Sequence, residues 1–303
     1  MKLADLWPLI KETGKQFWDD KAPRLGAALA FYTALSLSPL LLLVIALAGF
    51  VYGEEAARGE IAHQIRDTVG DEGAQAIQSM LASNKSSGKN TLMTIVGIAT
   101  LIVGATGVFA QLQDALNTVW NVKPERRSSG ILGLLRDRLL SFAVVCGLVF
   151  LLLASLVMSA VLSAVGNWLG QHVSVSGWLL QLANQILSFV LTALLFALIF
   201  KLLPHVRLKW SDVSRGAIIT ALLFTLGKYL IGLYLGQAAP GSAYGAAGSF
   251  VVLLVWIYYS TQILLFGAEF TEVYARRFGS GFDGINAPAS TANEAKLATP
   301  TSG

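Results

Sequence analysis

The sequence predicts an all-α, polytopic membrane bundle of six transmembrane helices with amphipathic flanking helices. Three observations carry that prediction. Charged residues make up 13% of the 303-residue chain and apolar residues 54%, where an ordinary soluble domain is about a quarter charged. Mean hydropathy is +0.62, and apolar stretches long enough to cross a bilayer, about 20 residues each, recur along the chain. Lys and Arg gather in alternate connections between those stretches, as expected of a chain threaded back and forth through a membrane.

In chain order, residues 1–24 form a cytoplasmic interfacial segment. Leu3, Leu6, Trp7, Ile10, Phe17 and Trp18 recur there at helical spacing among lysines and acids, which suits a helix lying on the cytoplasmic face or packed onto the bundle. Residues 25–278 form the membrane domain, with crossings at 25–52, 91–118, 138–166, 179–203, 213–236 and 246–275. Several exceed the minimum span, so tilt or interfacial extension is expected. Within the first connection, residues 53–90 carry Ile61, Ile65, Val69, Ile77 and Leu81 at helical spacing, an amphipathic segment capping the outer surface. Residues 279–303 are rich in Gly, Ala, Ser, Thr and Pro and read as a disordered cytoplasmic tail.

Orientation follows from the basic residues. Lys2, Lys11, Lys15, Lys21 and Arg24 precede the first crossing; Lys123, Arg126, Arg127, Arg136 and Arg138 crowd the second connection. Lys201, Arg207, Lys209 and Arg215 fill the fourth, and Arg276 and Arg277 follow the sixth. The third and fifth connections hold no Lys or Arg, and in the first, acids outnumber bases. Both termini are therefore expected on the cytoplasmic side of the membrane. The first apolar run starts near Leu25 and is too long for a signal-peptide core, so no cleaved leader is expected.

Polar and helix-breaking residues inside the crossings are the candidate functional positions. Pro39 in the first crossing cannot donate to the Leu35 carbonyl, which predicts a kink or a local break, with Ser36 and Ser38 offering hydroxyls to the freed backbone. At 1.5 Å per residue, Asp114 and Glu269 each lie about 34 Å along inward-running helices, at the cytoplasmic end. Lys228 is about 22 Å outward along the fifth crossing, too far to pair with either acid. The two carboxylates either pair with juxtamembrane cations (Arg24, Arg136, Arg138 or Lys201) or line an inner polar pocket with Gln111 and Asn117. Lys228, beside Tyr229, either snorkels outward or contacts an anionic headgroup. Gly97, Gly104, Gly107, Gly227, Gly232, Gly236, Gly241, Gly245 and Gly248 permit close helix approach, and the uncharged run GQAAPGSAYGAAGS is a candidate outer gate.

Other chemistries lack residues. Cys146 is the only cysteine, so no intrachain disulfide or Cys-rich metal site can form. His63, His172 and His205 fall in two outer connections and an inner one and cannot converge. No HExxH, P-loop or nucleophile-elbow pattern occurs, so neither catalysis nor a cofactor is expected. The net charge of +4 sits at the ends of apolar segments and is not a nucleic-acid footprint.

Four segments in order, DKAPRLGAALAFYTALSLSPLLLL, QLQDALNTVWNV, LPHVRLKWSDVSRGA and YGAAGSFVVLLVWIYYSTQILLFGAEFTEVYARR, resemble the YihY/BrkB family of bacterial inner-membrane proteins over roughly Phe17 to Phe278. The resemblance implies six crossings with cytoplasmic ends. The family also carries an old label as a ribonuclease, which the isolated histidines do not support. The expectation is an envelope transporter or flippase-like protein for a lipid, amphiphile or ion, driven by an ion gradient or running downhill. The alternative is a non-transporting scaffold. Membrane lipids are the expected partners, with envelope proteins or a second copy of the chain as further candidates.

Overall fold

The computed structural model describes residues 6–53, scattered positions between 55 and 79, and residues 107–122, 177–206, 208–238 and 248–279. Every regular element among them is helical: α1 (Leu6–Asp19), α2 (Ala22–Tyr52), α3 (Gly177–Leu202), α4 (Trp210–Ala238), α5 (Gly248–Arg277) and a helical segment at 107–119. Three helices are long and apolar enough to cross a membrane among the described residues: Leu182–Leu202, Trp210–Tyr234 and Gly248–Arg277. The third expected crossing, most of the second, the run at 239–247 and the tail beyond Gly279 lie outside the described residues.

The exposed surface of these helices is itself apolar. Leu182, Ile186, Val190 and Leu194 recur every fourth residue on the outside of α3, and Ile218, Leu222, Leu226 and Leu230 do the same on α4. Spacing of four keeps them on one helix face, and continuous apolar stripes left open to solvent mark a surface made for lipid.

α1 and α2 meet at a tight elbow. Asp20 closes the last turn of α1, donating its backbone N–H to the Gln16 carbonyl, and Lys21 takes a left-handed conformation at φ 55°. Pro23 then falls in the first turn of α2, where its missing N–H costs nothing. The 31 residues of α2 run through Pro39 as one helix and end at Gly53, whose φ of 84° suits a terminating glycine. The expected local break at Pro39, and a discontinuous helix with it, is not formed: losing one hydrogen bond leaves the neighbouring turns of a long helix intact. Ser36 is buried and donates to the Thr33 carbonyl at 3.2 Å, not to the freed carbonyl of Leu35. The side chains of Ser38 and Pro39 lie outside the described residues.

α5 organises the bundle, packing against α1, α2 and α4. Its neighbours α2 and α4 both run antiparallel to it. Gly26 of α2 lies against Thr261 and Gln262, while Ala30 and Ala34 share a core with Leu253 and Ile257. On α4, Gly216 meets Thr271, Thr220 meets Gly267, and Gly227 meets Ile263 and Tyr259. These last contacts include a reciprocal interlock. Thr271 fills the space over Gly216 and returns its hydroxyl to the Gly267 carbonyl at 2.6 Å; Thr220 fills the space over Gly267 and returns its hydroxyl to Gly216 at 2.7 Å. Each helix thus offers a glycine and, one turn later, a threonine whose donor is satisfied within its own helix, which lets the backbones approach without stranding a polar group.

Of the glycines expected to permit close approach, Gly107 faces Tyr32 and Gly227 faces α5, whereas Gly232 has nothing within 4 Å among the described residues. In the first connection, helical residues 73–79 place Ala76 and Ile77 in the core with Ala30 and Leu253. The amphipathic character expected there is therefore used for packing onto the bundle, at least at Ile77.

Candidate functional site

α1 lies along the end of α5 to which the two arginines belong. Leu9 is fully buried against Phe270, Val273 and Tyr274, and Phe17 meets Phe266 edge-on at 5.8 Å. The apolar stripe of α1 is consequently split. Trp7 and Trp18 are 74% and 70% exposed, and Ile10 is exposed with them, so half of the stripe faces away from the protein.

Ion pairs fasten the same contact. Arg276 bridges Glu12 of α1 at 2.8 Å and Glu272 of its own helix at 3.2 Å, and Arg277 also pairs with Glu12. With its nitrogen toward Glu272 and its oxygen toward Arg276, the Gln16 amide joins the network at 3.1 and 2.7 Å. An open groove of about 810 Å³ follows the outer side, bordered by Lys11, Lys15, Trp18, Asp19 and Arg277.

Beneath this network sits Glu269, with no exposed surface and no hydrogen-bond donor on either carboxylate oxygen among the described residues. The group it meets is another acid: Asp20, at the elbow, lies within hydrogen-bonding reach of it once one of the two is protonated. Two carboxylates in such contact need one proton between them. Burial pushes the Asp20 carboxyl above the usual aspartate range; its bond to Glu269 opposes that rise and neighbouring Asp19 adds to it. Two turns back along α5, about 10 Å at 1.5 Å per residue, Gln262 buries both of its amide atoms against Gly26 with no partner among the described residues. One side of α5, toward α2, thus carries Glu269 and Gln262 as a line of unsatisfied polar groups.

Of the remaining candidate residues, Asn117 is engaged by His205. Asn117 is buried, accepts from the backbone N–H of His205 at 2.9 Å and joins its ring Nδ1 at 3.0 Å, so it anchors the connection between α3 and α4. Gln111 is half-buried, and Asp114 is exposed with its carbonyl accepting from Thr118. The charged groups acting on Glu269 are Asp20, Glu272 and Arg276, from the elbow and α5. Of the cations considered as partners, Lys201 donates to the Leu208 carbonyl and lies over Trp210, and Arg24 is exposed. Arg136 and Arg138 lie outside the described residues. Lys228 sits 5.9 Å from the ring of Tyr229 in a seam with Phe224, Trp256 and Tyr259 that has no room for a water molecule.

Sequence reasoning missed Asp20 and Gln262. A buried carboxylate calls for a cation, and nothing in the DDKAPR run before the first crossing marks Asp20 as its neighbour. No group of three or more His, Cys, Asp or Glu able to hold a metal occurs among the described residues.

Comparison with known proteins gives a consistent family. The chain is 27% identical over 263 residues to a UPF0761 membrane protein of Tolumonas auensis, covering 85% of this chain and 82% of that one. A UPF0761 membrane protein of Psychromonas ingrahamii is 31% identical over 252 residues, covering 80% and 79%. A longer relative from Psychrobacter is 26% identical, and there the alignment spans 86% of this chain but 48% of that protein. No solved structure matches. The family model described as Virulence factor BrkB matches residues 13–291. The chain is a membrane protein and belongs to the Virulence factor BrkB family.

Proposed function

We propose that this protein is a six-crossing inner-membrane protein, with both termini cytoplasmic, that moves a lipid, amphiphile or ion across the membrane without performing catalysis. The observation that carries the reading is Glu269, a fully buried carboxylate without a donor, set beside Asp20 and in line with the unpartnered Gln262. A packed core has no use for such groups, since each buried and unsatisfied polar atom costs about 1–3 kcal/mol. Ionisable groups kept in membrane helices at that cost mark paths for substrates, ions or protons. Absence of a nucleotide motif in the sequence points to gradient-driven or downhill movement. Lys228, on the opposite half of α4, remains a candidate headgroup contact.

The test is reconstitution. Vesicles of phosphatidylethanolamine and phosphatidylglycerol, containing headgroup-labelled analogues and a trapped pH dye, are compared with and without the purified protein. Faster exchange of labelled lipid, or faster ion movement, in protein-containing vesicles is the expected result. Rates equal to those of empty vesicles for both would defeat the transport reading. A second reading, a non-transporting scaffold, draws on the open groove along α1 with exposed Trp18 and Lys15. It predicts a stoichiometric envelope protein cross-linked through Lys11 or Lys15.

A further inference from the structure

We propose that Asp20 and Glu269 form a proton-binding site, a single proton held between two carboxyl groups, which seats the α1–α2 elbow on α5. Resting on the transport reading above, that proton is also the coupling ion. The case begins with Glu269, which has no solvent contact and no donor among the described residues, and which meets an acid instead. An isolated ionised carboxylate in such a position is prohibitive, and two adjacent ones more so.

Among the described residues the one cation acting on Glu269 is Arg276, which is already shared with two other acids. α1 brings Glu12 and Asp19, α5 brings Glu272, Arg276 and Arg277, and α2 brings Arg24, whose side chain is exposed. Both α5 arginines are engaged by Glu12, and Arg276 by Glu272 as well. From α4, which also packs on α5, Arg215 is taken by the Tyr274 hydroxyl. Among the described residues the cations nearest the pair are thus already engaged by other groups, and a proton is the smallest species that can sit between the two carboxyl groups. A metal ion is disfavoured because no third His, Cys, Asp or Glu completes a ligand set among the described residues.

The site also has a mechanical role. Asp20 lies outside both helices, at the turn where Lys21 adopts its left-handed conformation. The shared proton is thus a tie between a turn and a helix, and its loss would place two negative charges face to face at the joint.

Infrared difference spectra of the full-length protein in lipid nanodiscs, titrated with hydroxide in potassium buffer, read the site directly. A protonated-carboxyl band that persists to neutral pH is expected, and it should vanish in both Glu269→Gln and Asp20→Asn. Asp20 is only half-buried, so its variant is the one that keeps the fold if Glu269→Gln does not. A band absent at neutral pH, or one unchanged in both variants, overturns the site, as does a band displaced by sodium at constant pH. In proteoliposomes, flux should change several-fold with an imposed pH difference in the wild type and not in Glu269→Gln. Wild-type flux indifferent to the pH difference removes the coupling role. Absence of all flux defeats transport itself while the infrared band still decides the proton site.

Discussion

Substituting Gly216 by Ala tests the interlock that holds α4 to α5. A methyl group built on Gly216 would stand 1.9 Å from the Thr271 hydroxyl oxygen and 2.7 Å from both its Cβ and Cγ2. None of those separations is tolerable, and Thr271 cannot swing away freely because its hydroxyl is committed to the Gly267 carbonyl at 2.6 Å. Either the helices separate or Thr271 leaves its rotamer and its bond. Over-packing of this kind costs about 1–3 kcal/mol, and loss of the hydrogen bond contributes about 1 kcal/mol more. At about 2–4 °C per kcal/mol for a domain of this size, the midpoint of thermal unfolding in a fixed detergent should fall by roughly 4 °C or more. The second half of the experiment supplies the specificity. Thr271→Gly removes every atom the new methyl meets, so the double variant Gly216→Ala/Thr271→Gly should be less destabilised than the sum of its singles by about 1 kcal/mol or more. Tryptophan fluorescence during heating measures all four proteins. Additive losses, or a Gly216→Ala midpoint within a degree of wild type, would refute the reciprocal packing of these helices.

Three further outcomes follow from the same contacts. Arg276→Gln breaks the bridges to Glu12 and Glu272 that fasten α1 to α5; at about 1 kcal/mol for a part-exposed pair, trypsin should cut faster at Lys11 and Lys15 while the rest of the bundle resists, and unchanged cleavage would contradict the fastening. Asn117→Ala removes the two bonds that hold His205, at about 1 kcal/mol each. Its unfolding midpoint should therefore drop by roughly 4–8 °C, and a drop under a degree would contradict the anchor. For Asp20, whose carboxyl is raised by burial, the folded state holds its proton more tightly than the unfolded chain. That contribution is fully present below the ordinary aspartate range, near about pH 4, and is lost as pH rises through the higher folded value. Unfolding midpoints of the wild type should thus fall with pH across that window more steeply than those of Asp20→Asn, and parallel curves would contradict it.

How much of this was legible in the sequence depends on which force sets each feature. Apolar length and four-residue spacing are local properties, so α3, α4 and α5 were readable, as was a helix at α1. Which side of α1 faces the bundle was not, because Trp7 and Trp18 are as apolar as Leu9 and Phe17 and only docking decides between them. Pro39 predicts a kink or a local break, and the helix on either side of it is long enough to continue without a break. Glu269 was recognisable as a costly carboxylate near the end of its helix, but its neighbour was not. Asp20 lies nearly 250 residues earlier in the chain, and the expected remedy for a buried acid is a base. Depth groups Asp114 with Glu269, and helix-face spacing adds Asn117. Depth fixes height along the bundle and leaves the facing direction open, and the fold sends Asn117 to His205 instead. The interlock escaped for a related reason: Gly216 with Thr220 and Gly267 with Thr271 have the same four-residue spacing, which becomes informative only when the two helices are set antiparallel.

Flux in vesicles containing Glu269→Gln, at matched protein content and with helicity and unfolding midpoint no worse than wild type, tests the central claim most directly. Glutamine keeps the size of the side chain and removes its charge and its proton. The account predicts movement of the labelled lipid or ion at least tenfold slower than with the wild type. Equal rates would mean that the buried carboxyl beside Asp20 plays no part in the work of the protein.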